Sequence, residues 1–366
     1  MEDFKISLIS TKNVFYANSE VNGIVCLKTE KPLKARKIHV SINGRAKAKF
    51  HHQRGKHTYH YSSTQFYIQE EFILWECKNG SNKIPAGNYQ FPFKFKIPIN
   101  APKNITEEYG NIRYFIKANI NVPWSFDKSV ILEFSVFPFI DLNVDSRLAE
   151  PVINYLEKSG AFSSKAVKIT LKMPKMGYVC GETISIHVSI ENESKSEIKS
   201  VESGIYATYI FTATDESVFS KHTMSKEFSK KYCVEDIRLP AEMSQNTVFI
   251  RDIRIPSIPP SLDHCDIIKL QYRVFIKVHT NALFSSGATA AIPIIIGTVP
   301  LQPKPSTTIN NIIADPNYSG FESYPPKGIP PPEYDFKEVD SHEEDSENKK
   351  VDSFKFQTKS SYSSDS

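Results

Sequence analysis

The chain has little glycine (14 of 366 residues), two tryptophans and five cysteines, and it has no long apolar run. Each shortage excludes something. Cys26, Cys77, Cys180, Cys233 and Cys265 are odd in number, widely spaced and form no Cys-x-x-Cys pair, so neither a disulfide framework nor a cysteine zinc site is expected. Small apolar core positions are the expected role for them. The longest apolar stretch, Ala288 to Ile296, is broken by Pro293 and falls far short of the ~20 residues that span a bilayer. Met1 to Ser10 lacks the basic start and apolar run of a secretory signal. Lysine plus arginine (45) nearly balance aspartate plus glutamate (41) and are spread along the chain, which argues against nucleic acid as a partner. There is no Gly-x-Ser-x-Gly, no phosphate-binding glycine loop and no His-Glu-x-x-His. A cytoplasmic protein without catalytic function or cofactor is the expectation.

What the chain does have is Tyr, Phe, Val and Ile in period-two order. Ile6 and Leu8 alternate with polar neighbours, as do Ile38, Val40 and Ile42, then Phe91, Phe93, Phe95 and Ile97, then Tyr114, Ile116, Ala118 and Ile120. Val167, Ile169 and Leu171 follow, then Ile184, Ile186, Val188 and Ile190, then Tyr272, Val274, Ile276 and Val278. Such alternation gives each strand one apolar and one wet face, as a two-layer antiparallel sandwich requires. Only Ser146 to Ser159 has helical spacing, through Leu148, Val152, Tyr155 and Leu156, and Pro151 limits it to a short element within a linker.

The pattern occurs twice. Tyr16 to Val21 lines up with Tyr178 to Thr183, Phe93 to Pro98 with Arg251 to Pro256, and Tyr114 to Lys117 with Tyr272 to Lys277. A further proline follows the second landmark in both halves, at Pro102 and at Pro259-Pro260. Three landmarks in one order predict a duplicated domain. The expected layout is an all-β chain with a sandwich over residues 1–144, a linker over 145–164, a second sandwich over 165–298 and a disordered tail over 299–366. The tail is rich in Pro, Ser, Asn, Asp, Glu and Lys, and too poor in aliphatics to offset its ordering entropy. Glu20 and Glu182 fall at equivalent places in this alignment, which reads as a shared structural role at a turn.

Three stretches carry chemistry. Pro331-Pro332-Glu333-Tyr334, behind Pro330, has the spacing that WW domains read. Consecutive prolines preset the polyproline II twist, so little entropy is lost on docking, and the tyrosine reaches a second slot. The acidic stretch from Glu333 to Glu347 reads as a solvating tail that could also favour a WW domain with a basic rim. The run His51-His52-Gln53-Arg54-Gly55-Lys56-His57-Thr58-Tyr59-His60 reads as a solvated hairpin tip with Gly55 in the turn. With Lys47 and Lys49 beside it, Arg54 and Lys56 are also candidate contacts for anionic lipid headgroups, strengthened as the histidines protonate. Metal binding at the histidines is a third reading, without cysteine or carboxylate nearby to support it.

Taken together, Tyr16 to Leu27, the Trp75 strand, Phe91-Pro92-Phe93-Lys94-Phe95-Lys96-Ile97-Pro98 and Gly110-Asn111-Ile112-Arg113-Tyr114 resemble the arrestin family, in particular its arrestin domain-containing, or α-arrestin, branch. So do Gly177 to Ile190, Ile258-Pro259-Pro260-Ser261-Leu262, the strand from Ile267 to Val278 and Pro293-Ile294-Ile295-Ile296-Gly297-Thr298. The resemblance covers roughly residues 1–300. It implies two tandem immunoglobulin-like, arrestin-type sandwiches that hold cytosolic segments of membrane-protein cargo. The tail would recruit a WW-domain, HECT-type ubiquitin ligase, leading to cargo ubiquitination, endocytosis and sorting at the plasma membrane and endosomes. The alternative it implies is a retromer-like structural subunit of endosomal sorting that needs no ligase. The sequence departs from visual and β-type arrestins at Ala101 to Tyr109, where it predicts a polar connection and a resumed strand in place of their short helix.

Overall fold

The computed structural model describes residues 3–10, 12–77, 82–159, 166–194, 196–215, 221–240, 245–281 and 287–302. The first half forms β1 (Asp3–Leu8), β2 (Val14–Tyr16), β3 (Glu20–Thr29), β4 (Leu33–Lys34), β5 (Lys37–Arg54), β6 (His57–Glu76), β7 (Lys83–Ile84), β8 (Gly87–Lys96), β9 (Ile105–Glu107), β10 (Gly110–Asn121) and β11 (Lys128–Phe137). Two 3-10 turns, Leu142–Val144 and Ser146–Ala149, follow. The second half forms β12 (Val152–Ser159), β13 (Ala166–Met173), β14 (Gly177–Val179), β15 (Thr183–Asn192), β16 (Ile198–Thr214), β17 (Thr223–Arg238), β18 (Asn246–Arg254), β19 (Ile268–Thr280) and β20 (Ala288–Gly297).

Each half is a pair of facing sheets, with a small β4-β7 pair beside them in the first. In the first, β1-β3-β8 faces β2-β11-β10-β5-β6; in the second, β12-β13-β15-β18 faces β14-β20-β19-β16-β17. The alternating residues make the core between them. Ile38, Val40 and Ile42, Tyr114 to Ile120 at every second position, and Tyr272 to Val278 at every second position are all buried, whereas Leu8 and Phe91 are half-buried. Fully burying one such side chain is worth about 1.5–3 kcal/mol. The stretch expected to lack the N-domain helix does so: residues 101–104 are irregular and β9 pairs with the start of β10.

The duplication is visible in the hydrogen bonds. β2 pairs parallel to β11 and β14 parallel to β20, both ending at a turn with one left-handed residue, Asn18 (φ 66°) and Gly181 (φ 90°). The Asn18 amide donates to the Ile97 carbonyl and the Gly181 amide to the Ile255 carbonyl, each at 2.9 Å. This register matches Asn18 with Gly181 and Ser19 with Glu182. It is one residue away from the alignment of the two tyrosines, so Glu20 and Glu182 are not equivalent. Ser19 donates to the Tyr16 carbonyl, Glu182 accepts from the Val179 amide and holds Lys175 at 3.1 Å, and Glu20 pairs with Lys94 on β8. The turn is fixed by the left-handed residue, where only Gly or Asn is comfortable, and not by the neighbouring aromatics.

One expected element differs in kind. Of the stretch from Ser146 to Ser159 only Ser146–Ala149 makes a helical turn, a 3-10 one; residues 152–159, expected in the linker, are strand β12 of the second sandwich, paired antiparallel with β13 from Val152↔Met173 to Ser159↔Ala166. The spacing misleads because half of the inward positions are polar. Asn154 donates to the Ala291 carbonyl at 3.1 Å and Lys158 to the Gly287 carbonyl, so the apolar alternation of a strand is hidden. Residues 299–302, placed by composition in the disordered tail, lie against the end of the first half. Asn143 donates to the Pro300 carbonyl and accepts from the Gln302 amide, and Asp141 bridges in parallel to Val299.

Candidate functional site

Pro331, Pro332, Glu333 and Tyr334 lie outside the described residues, as does the acidic stretch after them. The basic hairpin is formed. β5 and β6 run antiparallel to Arg54↔His57 and close through Gly55, at φ 63°, and Lys56. Its tip is solvated, as the sequence reading had it. The four candidate lipid contacts do not converge on one patch. Lys47, Lys49 and His51 share the outer face by alternation, Arg54 points to the other face, and Lys56 sits in the turn. At ~3.3 Å per residue, Arg54 lies about 17 Å along the strand from Lys49. His51 and His60 face each other across the pair. Among the described residues no group of three or more His, Cys, Asp or Glu side chains gathers where it could hold a metal ion.

The hairpin has a role that sequence reading missed: its inner face joins the two sandwiches. Phe50 and Tyr61 stack on each other at 5.5 Å, and Tyr109 meets Phe50 edge-on at 6.2 Å. The same Tyr109 ring meets Phe211 on β16 and Phe228 on β17, each at 6.1 Å. Polar links run along this aromatic seam. The Thr214 amide donates to the Ser63 hydroxyl at 3.1 Å, and the Asp266 amide donates to the Gln65 side-chain oxygen at 3.0 Å. Lys230 pairs with Glu107 at 2.8 Å, where the glutamate side chain is 13% exposed. The His264 ring contacts the Asn100 carbonyl at 2.9 Å. No local pattern marks these residues as partners, because each contact that crosses from one sandwich to the other joins positions more than a hundred residues apart.

Lys103 lies in this seam beside Pro259, Pro260 and His264. Burial pushes its ammonium down to about 8, because a low-dielectric surround disfavours the charged form. Burial likewise raises the Cys180 thiol. The cysteines are free. Cys265 is buried in the core and Cys180 packs against it, whereas Cys26 and Cys77 are half-buried outside the core clusters and Cys233 is exposed, so the expected core role fits only Cys265 and Cys180. No helix among the described residues is long and apolar enough to cross a membrane.

Two linked sandwiches, each with its last strand paired parallel to a short early strand, and with long paired hairpins at the seam, have known relatives. The family model for the arrestin (or S-antigen) N-terminal domain matches residues 4–143, and that for the arrestin (or S-antigen) C-terminal domain matches residues 163–301. Arrestin domain-containing protein 17 of Caenorhabditis elegans is 27% identical over 314 residues, which cover 82% of this chain and 71% of that protein. Human arrestin domain-containing protein 4 is 26% identical over 305 residues (79% and 69%), and human arrestin domain-containing protein 1 is 25% identical over 324 residues (82% and 67%). The chain belongs to the arrestin family, within its arrestin domain-containing, or α-arrestin, branch.

Proposed function

We propose that the protein is a non-catalytic adaptor. Its two sandwiches hold cytosolic segments of membrane-protein cargo, and its C-terminal segment brings a WW-domain, HECT-type ubiquitin ligase to that cargo. The outcome is ubiquitination of the cargo and its endocytosis and sorting, with the adaptor recruited from the cytoplasm to the plasma membrane and endosomes. The single observation that carries the ligase step is Pro331-Pro332-Glu333-Tyr334, set beyond the second arrestin domain. Two prolines followed at fixed spacing by a tyrosine satisfy both the aromatic groove and the tyrosine slot of a WW domain. The platform supports the cargo step. Among the described residues each half ends one sheet on an edge strand with no strand on its outer side, β8 in the first and β18 in the second, and such edges accept an extended peptide by β-addition.

The test is capture of the full-length chain by isolated WW domains, comparing wild type with Tyr334→Ala. Loss of capture is expected. Undiminished capture removes the ligase step, and co-purification with a large assembly that survives deletion of residues 303–366 points to a coat-like subunit instead.

A further inference from the structure

At the end of the first sandwich far from the seam, the loop between β10 and β11 carries two large aromatics that are left almost wholly exposed among the described residues. Trp124 is 98% exposed and Phe126 is 95% exposed. The chain has only two tryptophans, and the other, Trp75, is packed into a small core directly beneath this loop. That core, Leu27, Ala35, Ile38, Ile84 and Ile120, also takes up Val122. The loop is therefore anchored at its base while its tip is left bare.

The loop is also held in shape. The Asp127 carboxylate accepts from the Val122 amide at 3.2 Å and from the Asn121 side chain at 3.0 Å. Trp124 sits at φ 58°, in the left-handed region that an aromatic residue enters only under strain. A strained backbone that turns an indole into water, next to a second exposed ring, is the kind of outlier from which function is fairly inferred. Two exposed rings on a protruding tip suit a soft apolar phase, and tryptophan is among the side chains that settle at a bilayer's interface.

The charges around the base fit the same occupant. Segments 31–37 and 82–84 are tied to this loop: the Arg36 amide donates to the Asn121 carbonyl and the Ala35 amide to the Asn82 carbonyl, and Lys34 pairs across to Lys83. Lys31, Lys34, Arg36 and Lys83 are exposed and Lys128 is half-exposed. They outnumber the carboxylates Glu30, Glu76 and Asp127 at the same end, while Lys37 is occupied by Glu71 at 3.4 Å.

We infer that the Trp124–Phe126 tip is an interfacial membrane anchor that inserts its two rings into a lipid surface, with the lysine and arginine collar facing anionic headgroups. The insertion is shallow, because two rings reach only the headgroup and upper acyl region. This site is independent of the ligase-binding motif and lies at the opposite end of β5 and β6 from the histidine-rich hairpin tip.

The experiment is co-flotation of the full-length chain with phosphatidylcholine vesicles containing phosphatidylserine, alongside pure phosphatidylcholine vesicles. Binding to the anionic vesicles is expected to fall about tenfold in the Trp124→Ala/Phe126→Ala variant, to weaken with salt, and to be unchanged in Arg54→Glu/Lys56→Glu. In a Trp75→Phe background the emission of Trp124 should shift to the blue on vesicle addition, and an unchanged melting temperature confirms that each variant is folded. The inference is overturned if the unmodified chain does not float, if the double alanine variant floats as wild type, or if the hairpin charges alone carry binding. It is also overturned if gel filtration shows a dimer that the alanine variant dissolves, since a second copy would then be what covers the rings.

Discussion

Tyr114 and Tyr272 occupy the same position in the two sandwiches: the Tyr114 hydroxyl donates to the Pro102 carbonyl at 2.8 Å, and the Tyr272 hydroxyl donates to the Pro259 carbonyl at 2.6 Å. Both rings are buried, and burial raises both phenols well above their ordinary range. Each tyrosine pins a central strand to the proline connection before it, so the two halves are closed by the same device. Replacing either with Phe keeps the ring and leaves a carbonyl without its donor, at a cost of about 1–3 kcal/mol. The two costs should add, since the sites lie in separate sandwiches. Urea unfolding measures this, and a cost under ~0.5 kcal/mol at both positions would show that the bonds do not matter to stability.

Gly110 opens β10 where the first sandwich meets the second. A Cβ at this position would run into the Lys47 carbonyl and lie 2.8 Å from the Phe211 ring. Gly110→Ala is expected to destabilise by about 1–3 kcal/mol, as overpacking does. It should also loosen the seam, read as faster proteolytic cleavage between the halves. An unchanged cleavage rate with unchanged stability would mean that the seam yields without cost.

Tyr109 bridges Phe50 in one half to Phe211 and Phe228 in the other. Tyr109→Ala removes three edge-on contacts from a half-buried site, an expected loss of about 2–4 kcal/mol. Solution scattering should show the two halves less closely held than in the wild type.

His39 on β5 meets the Asn119 side chain through Nε2 at 3.2 Å, while its other ring nitrogen is buried without a hydrogen-bond partner. Burial lowers its pKa, against a raising influence from Glu71. The folded state therefore binds fewer protons than the unfolded state just below the ordinary histidine value of about 6.5, and stability falls as pH drops through that window. His39→Gln should flatten the decline between about pH 7 and 5 in a melting series. A slope identical to wild type would assign the acid sensitivity elsewhere.

Phosphorylation of Tyr334 would add about 1.5–2 negative charges where a WW slot takes a neutral phenol. Calorimetric titration of a WW domain with the two forms of a peptide around Pro331 should show the phosphorylated one binding at least ~10-fold more weakly, about 1.4 kcal/mol. Equal affinities would remove this control point.

Much of the fold was legible because strand alternation is a local signal. Ile184, Ile186, Val188 and Ile190 read as one buried face in the sequence and are one in the structure. Strand β12 was not legible, since Asn154 and Lys158 face inward and find acceptors on β20 and beside it. The repeat was found, but its register at the first turn was one residue out, because similarity of side chains favoured matching tyrosines while the backbone matches Asn18 with Gly181.

By itself the sequence determined the two β-sandwich halves, their duplication and the Pro331 to Tyr334 spacing, because each is written in patterns a few residues long, the duplication being the same local patterns met twice in one order. Only the tertiary structure decided that the basic hairpin's inner face is the mortar between the halves, that its cations are divided between two faces, and that Trp124 and Phe126 are left uncovered while Trp75 is packed. Those outcomes depend on which distant strands come to lie side by side, and apolar burial, being without direction, leaves no mark in a chain to say which aromatic will find a neighbour.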